Sequence, residues 1–185
     1  LLPGHILTAG PKGLDVRPYW DVRYRVAPGD ARSEEAVAAE LRARLKESVR
    51  MRLISDVPLG VFLSGGMDSS AVTALMSEAA AASEIKTFSI GFKEKSFDEL
   101  GWARKVARHF ATKHTEFVVE SGMVKDLVPV LMRYLDEPLA DASIIPTYII
   151  SKLARQYVTV ALAGDGGDEL FAGYDTYKAF KWARL

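Results

Sequence analysis

Apolar residues along this chain follow two alternating periods. Val37, Leu41, Leu45, Val49 and Leu53 recur every fourth residue, which predicts an amphipathic helix over 34–53. Ser33 stands before it as a candidate N-cap, and Glu34 and Glu35 occupy the first turn, where the helix dipole favours acids. Residues 57–63 form a short apolar run of strand length, followed by an Ala-rich helix at 69–82. The pattern then predicts a strand at 85–92 and a helix at 98–110, with Trp102, Val106 and Phe110 at helical spacing. A strand at 115–119, helices at 123–135 and 147–156, a strand at 158–162 and a final helix complete the series. Strands separated by helices make βαβ units. The expected fold class is α/β, a Rossmann-like parallel sheet with helices on both faces.

Residues 1–32 read differently. Pro3, Gly4, Gly10, Pro11, Gly13, Pro18, Pro28 and Gly29 surround short β-type runs at 5–8 and 22–26. This predicts a hairpin and a linker outside the main core. The expected organisation is therefore 1–32 as one piece and 33–185 as the main domain. There is no initiator Met, and the last residues stop inside a helical pattern, so the chain is expected to be a piece of a longer protein cut at its C-terminus.

Composition narrows the function classes. The 185 residues are 49% hydrophobic and 26% charged, which excludes disordered and low-complexity chains. The absence of cysteine excludes disulfides, zinc–thiolate sites and a cysteine nucleophile within these residues, and fits a cytoplasmic setting. Lys+Arg and Asp+Glu are both 24, so no basic footprint for nucleic acid or anionic membrane is expected. No apolar run approaches the roughly 20 residues of a membrane-spanning helix.

In a parallel sheet, ligands bind beyond the carboxyl ends of the strands. Two Gly-rich turns fall there: Leu63-Ser64-Gly65-Gly66-Met67-Asp68-Ser69-Ser70 and Ala163-Gly164-Asp165-Gly166-Gly167-Asp168-Glu169. In the first, Gly65 and Gly66 let backbone N–H groups approach an anion, and Ser64, Ser69 and Ser70 add hydroxyl donors. The helix that follows aims its free N–H groups at the same place. Asp68 would repel phosphate unless a cation stood between them, which argues for Mg²⁺. The turn lacks the Lys of a Walker A loop and the G-x-G-x-x-G of a dinucleotide fingerprint. In the second turn, Asp168 could complete a Mg²⁺ site with Asp68, and Glu169 could handle a proton or orient an amine.

The signature S-G-G-x-D-S resembles the PP-loop of the ATP pyrophosphatases. With the second turn, and with Asp56-Val57-Pro58-Leu59-Gly60-Val61-Phe62, Thr87-Phe88-Ser89-Ile90-Gly91-Phe92, Phe97-Asp98-Glu99, Tyr134-Leu135-Asp136-Glu137-Pro138 and Leu170-Phe171-Ala172-Gly173-Tyr174, the chain is similar to the synthetase domain of glutamine-hydrolysing asparagine synthetases of the B type. Residues 3–22 resemble the end of that family's glutaminase domain and the link out of it. The resemblance implies ATP and Mg²⁺, adenylation of the aspartate side-chain carboxylate to β-aspartyl-AMP, and attack by ammonia drawn from glutamine. It implies that Leu63 and Ile90 flank adenine or ribose. Ser64, Gly65, Gly66, Asp68, Ser69 and Ser70 would hold pyrophosphate and Mg²⁺. Ala163 and Gly164 would lie against the nucleotide, with Asp168 and Glu169 serving metal and catalysis. It further implies a glutaminase domain in the same full-length chain, a cytoplasmic enzyme and a homodimer.

Two alternatives stay open. One is a related PP-loop enzyme, such as a β-lactam synthetase relative, that adenylates a different carboxylate. The other is a nucleotide-binding module without turnover. His109 and His114 straddle a helix end and are not expected to share a metal, and His5 is read as structural. Trp20, Trp102 and Trp182 are read as packing residues.

Overall fold

Prolines, caps and turns set where the predicted elements begin and end. The computed structural model describes residues 1–22, 32–79, 84–93, 99–137, 139 and 141–183. Most of the 22–26 run, the linker that follows it, the end of the 69–82 helix, Phe97, Asp98 and Pro138 lie outside the described residues. The elements run β1 (His5–Gly10), β2 (Gly13–Pro18), α1 (Glu34–Arg52), β3 (Leu59–Phe62), α2 (Met67–Ala79), β4 (Lys86–Phe92), α3 (Leu100–His109), β5 (Lys113–Val119), α4 (Ser121–Leu131), α5 (Ile144–Ala154), β6 (Val160–Leu162), α6 (Gly167–Phe171) and α7 (Asp175–Trp182). They fall into two compact units, Leu1–Ala38 and Ala39–Leu185.

In the first unit β1 and β2 form an antiparallel hairpin, with His5 opposite Pro18 and Gly10 opposite Gly13. The second strand is thus Gly13–Pro18, earlier than the expected 22–26. Pro11 and Lys12 reverse the chain in a two-residue connection, so the strand after them pairs at once. Ser33 caps α1 as expected: its Oγ accepts from the Ala36 N–H at 3.3 Å.

In the second unit four parallel strands lie in the order β5-β4-β3-β6. Val61 of β3 pairs with Thr87 of β4 on one side and Leu162 of β6 on the other. Alternation along β3 supplies both faces of the sheet. Val61 packs with Val49 of α1 and Leu75 and Met76 of α2. Leu63, two residues on, packs with Ala103 and Ala107 of α3. Phe62, between them, joins Phe88, Ile150, Ala154 and Val158 on the α5 side. Helices therefore cover both faces, the expected α/β arrangement.

Strand ends differ from the sequence reading for local reasons. Pro58 has no N–H to give a ladder, and β3 starts after it; its carbonyl still accepts from the Thr159 N–H at 3.0 Å. The Val158 N–H closes the last turn of α5 onto Ala154, so β6 starts only at Val160. The expected final helix is two helices, α6 and α7, separated at Ala172 and Gly173. Trp20, Trp102 and Trp182 are 61%, 62% and 75% exposed, against the expectation of packing residues. On α3 the buried face is Leu100, Ala103 and Ala107, and the small alanines bring the helix close to the sheet. Trp102 is left outside, with the Lys105 ammonium 4.0 Å from its ring. Among the described residues no helix is long and apolar enough to cross a membrane.

Candidate active site

Parallel pairing of β3 with β6 brings the carboxyl ends of the two strands, and the Gly-rich turn after each, to the same edge of the sheet. The first turn is tied down from its start. The Leu63 N–H donates to the Phe88 carbonyl at 2.8 Å, and the buried Ser89 hydroxyl donates to the Leu63 carbonyl. Inside the turn Ser64 and Ser69 brace each other. Their hydroxyls lie 3.0 Å apart, and Ser69 Oγ accepts from the Ser64 N–H at 3.2 Å. Ser64 Oγ in turn accepts from the Gly66 N–H at 3.2 Å, and Ser69 Oγ donates to the Gly66 carbonyl at 3.3 Å. α2 begins directly afterwards at Met67, and the N–H groups of its first turn have no partner inside the helix.

The second turn meets the first through Gly164. A Cβ at Gly164 would stand 2.9 Å from both Asp68 Cβ and the Ser69 nitrogen, so only a glycine fits between the turns. Gly166 is left-handed at φ +87°, and the Gly167 N–H closes back onto the Gly164 carbonyl at 3.1 Å.

Both turns line one cavity of about 780 Å³. Of the residues expected from sequence, Leu63, Ser64, Gly66, Asp68 and Ser69 border it from the first turn. Ile90 borders it from β4, and Ala163, Gly164 and Asp168 from the second turn. Three expected residues do not border it. Gly65 is keyed against α3: a Cβ there would stand 2.5 Å from the Ala103 nitrogen. Ser70 Oγ is buried without a hydrogen-bond partner. Glu169 turns to Tyr174, whose hydroxyl donates to its Oε1 at 2.7 Å. That bond holds the Glu169 carboxyl below the usual carboxylate range and pushes the Tyr174 phenol up to about 12. A carboxylate so stabilised is a weakened base.

The cavity also contains residues that the sequence reading did not select: Ser89, Glu99, Thr147, Asp165 and Phe171. Asp165 was in plain view inside the turn. Ser89 could have been found as a polar position within an apolar strand. Glu99 and Thr147 come from segments whose approach to the turns depends on the assembled fold. Asp68, Glu99, Asp165 and Asp168 give the lining four carboxylates, and among its described residues there is no Lys, Arg or His. Such a wall accepts a polyphosphate only with cations between them.

His114 Nδ1 lies 2.8 Å from Thr87 Oγ1, whereas the His109 ring packs edge-on against Phe110. His5 Nδ1 sits 2.9 Å from its neighbour's carbonyl at Pro3. Among the described residues no three His, Cys, Asp or Glu groups converge to hold a metal by themselves.

The chain is similar in sequence and fold to several known proteins. A Methanocaldococcus jannaschii protein provisionally named glutamine-hydrolysing asparagine synthetase 2 is 44% identical over 133 residues, 72% of this chain and 26% of the relative. Glutamine-hydrolysing asparagine synthetase 1 of Bacillus subtilis is 34% identical over 177 residues, 95% of this chain and 27% of the relative. The chain thus spans about a quarter of the length of these curated relatives. Among solved structures, a glutamine-dependent NAD⁺ synthetase from Acinetobacter baumannii shares the fold with a TM-score of 0.55, at 21% identity, over 74% of this chain and 27% of that one. Residues 40–185 match the family described as asparagine synthase, and the chain belongs to that family.

Proposed function

We propose that the full-length protein is an ATP-dependent carbon–nitrogen ligase with glutamine as amido donor, an asparagine synthase that releases AMP and pyrophosphate. The observation that carries the reading is the meeting of the 64–70 and 163–168 turns on one cavity at the carboxyl edge of the sheet. Membership of the asparagine synthase family supports it, as do the names of the relatives. The fold shared with a synthetase determined with ADP is in keeping with an adenine nucleotide.

In this reading a substrate carboxylate oxygen bonds to the α-phosphorus of ATP, and the bond from that phosphorus to the bridging oxygen breaks, releasing pyrophosphate. Ammonia then bonds to the acyl carbon, AMP leaves, and the nitrogen loses a proton. The free N–H groups of the first turn of α2 receive phosphate oxygens. Leu63, Ile90, Ala163 and Gly164 border the nucleotide, with Ala163 contributing apolar and backbone contact. Ser64 and Ser69 hold the shape of the turn, and Gly65 locks it to α3. Ser70 presents the unpartnered hydroxyl behind it. Asp68 and Asp168 border the same cavity and suit Mg²⁺, which typically takes one or two carboxylates together with substrate phosphates and water. When bound, that ion would neutralise charge growing on the pyrophosphate. Glu169, engaged by Tyr174, would act on the substrate amine only if that bond opened.

The reading extends to the rest of the protein. Residues 1–32 are the exit from a glutaminase domain, 33–185 begin the synthetase domain, and the enzyme is a cytoplasmic homodimer. The test is to give the full-length protein ATP, Mg²⁺, glutamine and aspartate. Equal amounts of asparagine, AMP and pyrophosphate are expected. ADP and phosphate as products would overturn the mechanism.

A further inference from the structure

Two glycines near the cavity lack side chains for a reason their own backbones do not supply. Gly167 and Gly173 both sit outside the left-handed region, where any L-residue is accommodated. A Cβ at Gly167 would collide with the Asp68 carboxyl carbon and stand 2.7 and 2.8 Å from its two oxygens. A Cβ at Gly173 would collide with Asp168 Oδ1 and stand 2.9 Å from its Cγ. In each case the space a methyl group would need is filled by a carboxylate, and both carboxylates border the cavity.

The C-terminus of α6 makes the point sharper. Helices commonly end on a left-handed glycine. Here the left-handed residue is Ala172, at φ +56°, and the glycine follows one position later. The helix end therefore places a strained alanine where glycine would be easy. Its glycine stands where the backbone has no need of one. The Gly173 N–H donates to the Asp168 carbonyl at 3.0 Å, which fixes the glycine beside the Asp168 side chain.

We infer that Gly167 and Gly173 are positioning residues, each the seat that aims one carboxylate of the pair Asp68 and Asp168 into the cavity. The inference rests on the reading of that cavity as a MgATP site. A carboxylate is the mobile end of its side chain, so a methyl group at either seat would turn it aside while the fold survives. The site would then hold its cation less well, although every polar residue remained in the sequence.

The experiment uses the full-length protein and follows pyrophosphate release as Mg²⁺ is varied at fixed ATP, with thermal unfolding as a check on the fold. Gly173→Ala is expected to lower kcat/KM for MgATP by about tenfold and to raise the half-saturating Mg²⁺ concentration, with Gly167→Ala acting in the same direction through Asp68. Ala172→Gly relieves the left-handed alanine and is expected to leave both quantities at the wild-type level. Calorimetric MgATP affinity closes a double-mutant cycle: in an Asp168→Ala background, Gly173→Ala should weaken binding by less than about twofold more. Equal losses in both backgrounds would overturn the inference. So would a wild-type Mg²⁺ titration in Gly173→Ala while wild type releases pyrophosphate, and that result would leave the MgATP reading standing. A wild type that neither binds MgATP nor releases pyrophosphate would overturn the parent reading and this inference with it.

Discussion

Gly65 and Gly166 hold the same backbone conformation in the two turns, at φ +85° and +87°. Their surroundings are opposite. A Cβ on Gly65 would stand within 2.6 Å of backbone atoms of Trp102 and Ala103, whereas a Cβ on Gly166 would meet nothing within 4 Å. The first turn is thus keyed into a helix of the scaffold and laced by Ser64 and Ser69. The second is shaped by its own backbone and by its contact with Asp68. Two turns that look alike as strings of glycines therefore differ in what fixes them. One is set by the core behind it, the other by the turn it faces.

The largest expected effect comes from removing the side chain that joins them. Asp68→Ala should lower ATP-dependent pyrophosphate release by the full-length protein about a hundredfold or more, near 3 kcal/mol of transition-state stabilisation, and blunt its Mg²⁺ dependence. A loss under about fivefold would mean that the turns meet without sharing chemistry. Next, Gly65→Ala and Gly166→Ala separate backbone strain from crowding. Both incur the left-handed penalty of about 1–2 kcal/mol. Gly65→Ala also drives a methyl group into α3, for a total of about 3 kcal/mol or more. Denaturant midpoints of the two variants should differ accordingly, and equal midpoints would refute the contrast.

Ser70→Ala is a smaller probe of the first turn. Removing a buried hydroxyl that has no partner should leave stability unchanged or raise it by up to about 1 kcal/mol. MgATP affinity should still fall severalfold, read by calorimetry, if the hydroxyl turns to phosphate. Unchanged affinity would make Ser70 a packing residue alone.

The smallest expected effect is a pH dependence in the scaffold behind Gly65. Burial lowers the His114 imidazole pKa; Glu116 opposes the shift and Arg104 adds to it. The folded state therefore takes up this proton less readily than the unfolded chain. The stabilisation is complete above the ordinary imidazole range and is lost as pH falls through that range toward the lowered folded value. Arg104 lies on α3 beside the residues that hold Gly65, and its guanidinium grips both oxygens of Glu116 at 2.7 Å. His114→Gln should flatten this acid limb of a stability–pH profile; an unaltered slope would assign the limb to other groups.

The sequence carried what is local. Ser-Gly-Gly-x-Asp-Ser between an apolar run and a helix announces a Gly-rich turn from a strand into a helix, and alternating periods announce parallel strands with helices between them. What it carried less well depends on neighbours that are remote in the chain. Trp102, Val106 and Phe110 keep helical spacing, yet burial falls on Ala103 and Ala107, because close approach of α3 rewards small residues. Glu99 and Thr147 reach the cavity from outside either motif. Gly173 reads as part of a helix end, and only the position of Asp168 shows what its missing side chain makes room for.

The register that places Leu59 beside Val160 also has a history in time. Pairing β3 with β4 closes a loop of some two dozen residues, whereas pairing β3 with β6 closes about a hundred, which costs more chain entropy and is slower to reach. Synthesis proceeds from the N-terminus, so the first turn can be complete before the second has been made. Pulse-labelled amide exchange during refolding should accordingly protect Val61 before Leu162, and simultaneous protection would argue for one cooperative step. A chain halted between those events would hold the first turn and Asp68 without the second turn and Asp168. On the proposed reading, the ability to grip a nucleotide and the ability to act on it would then be acquired in sequence, separated by the docking of a single three-residue strand.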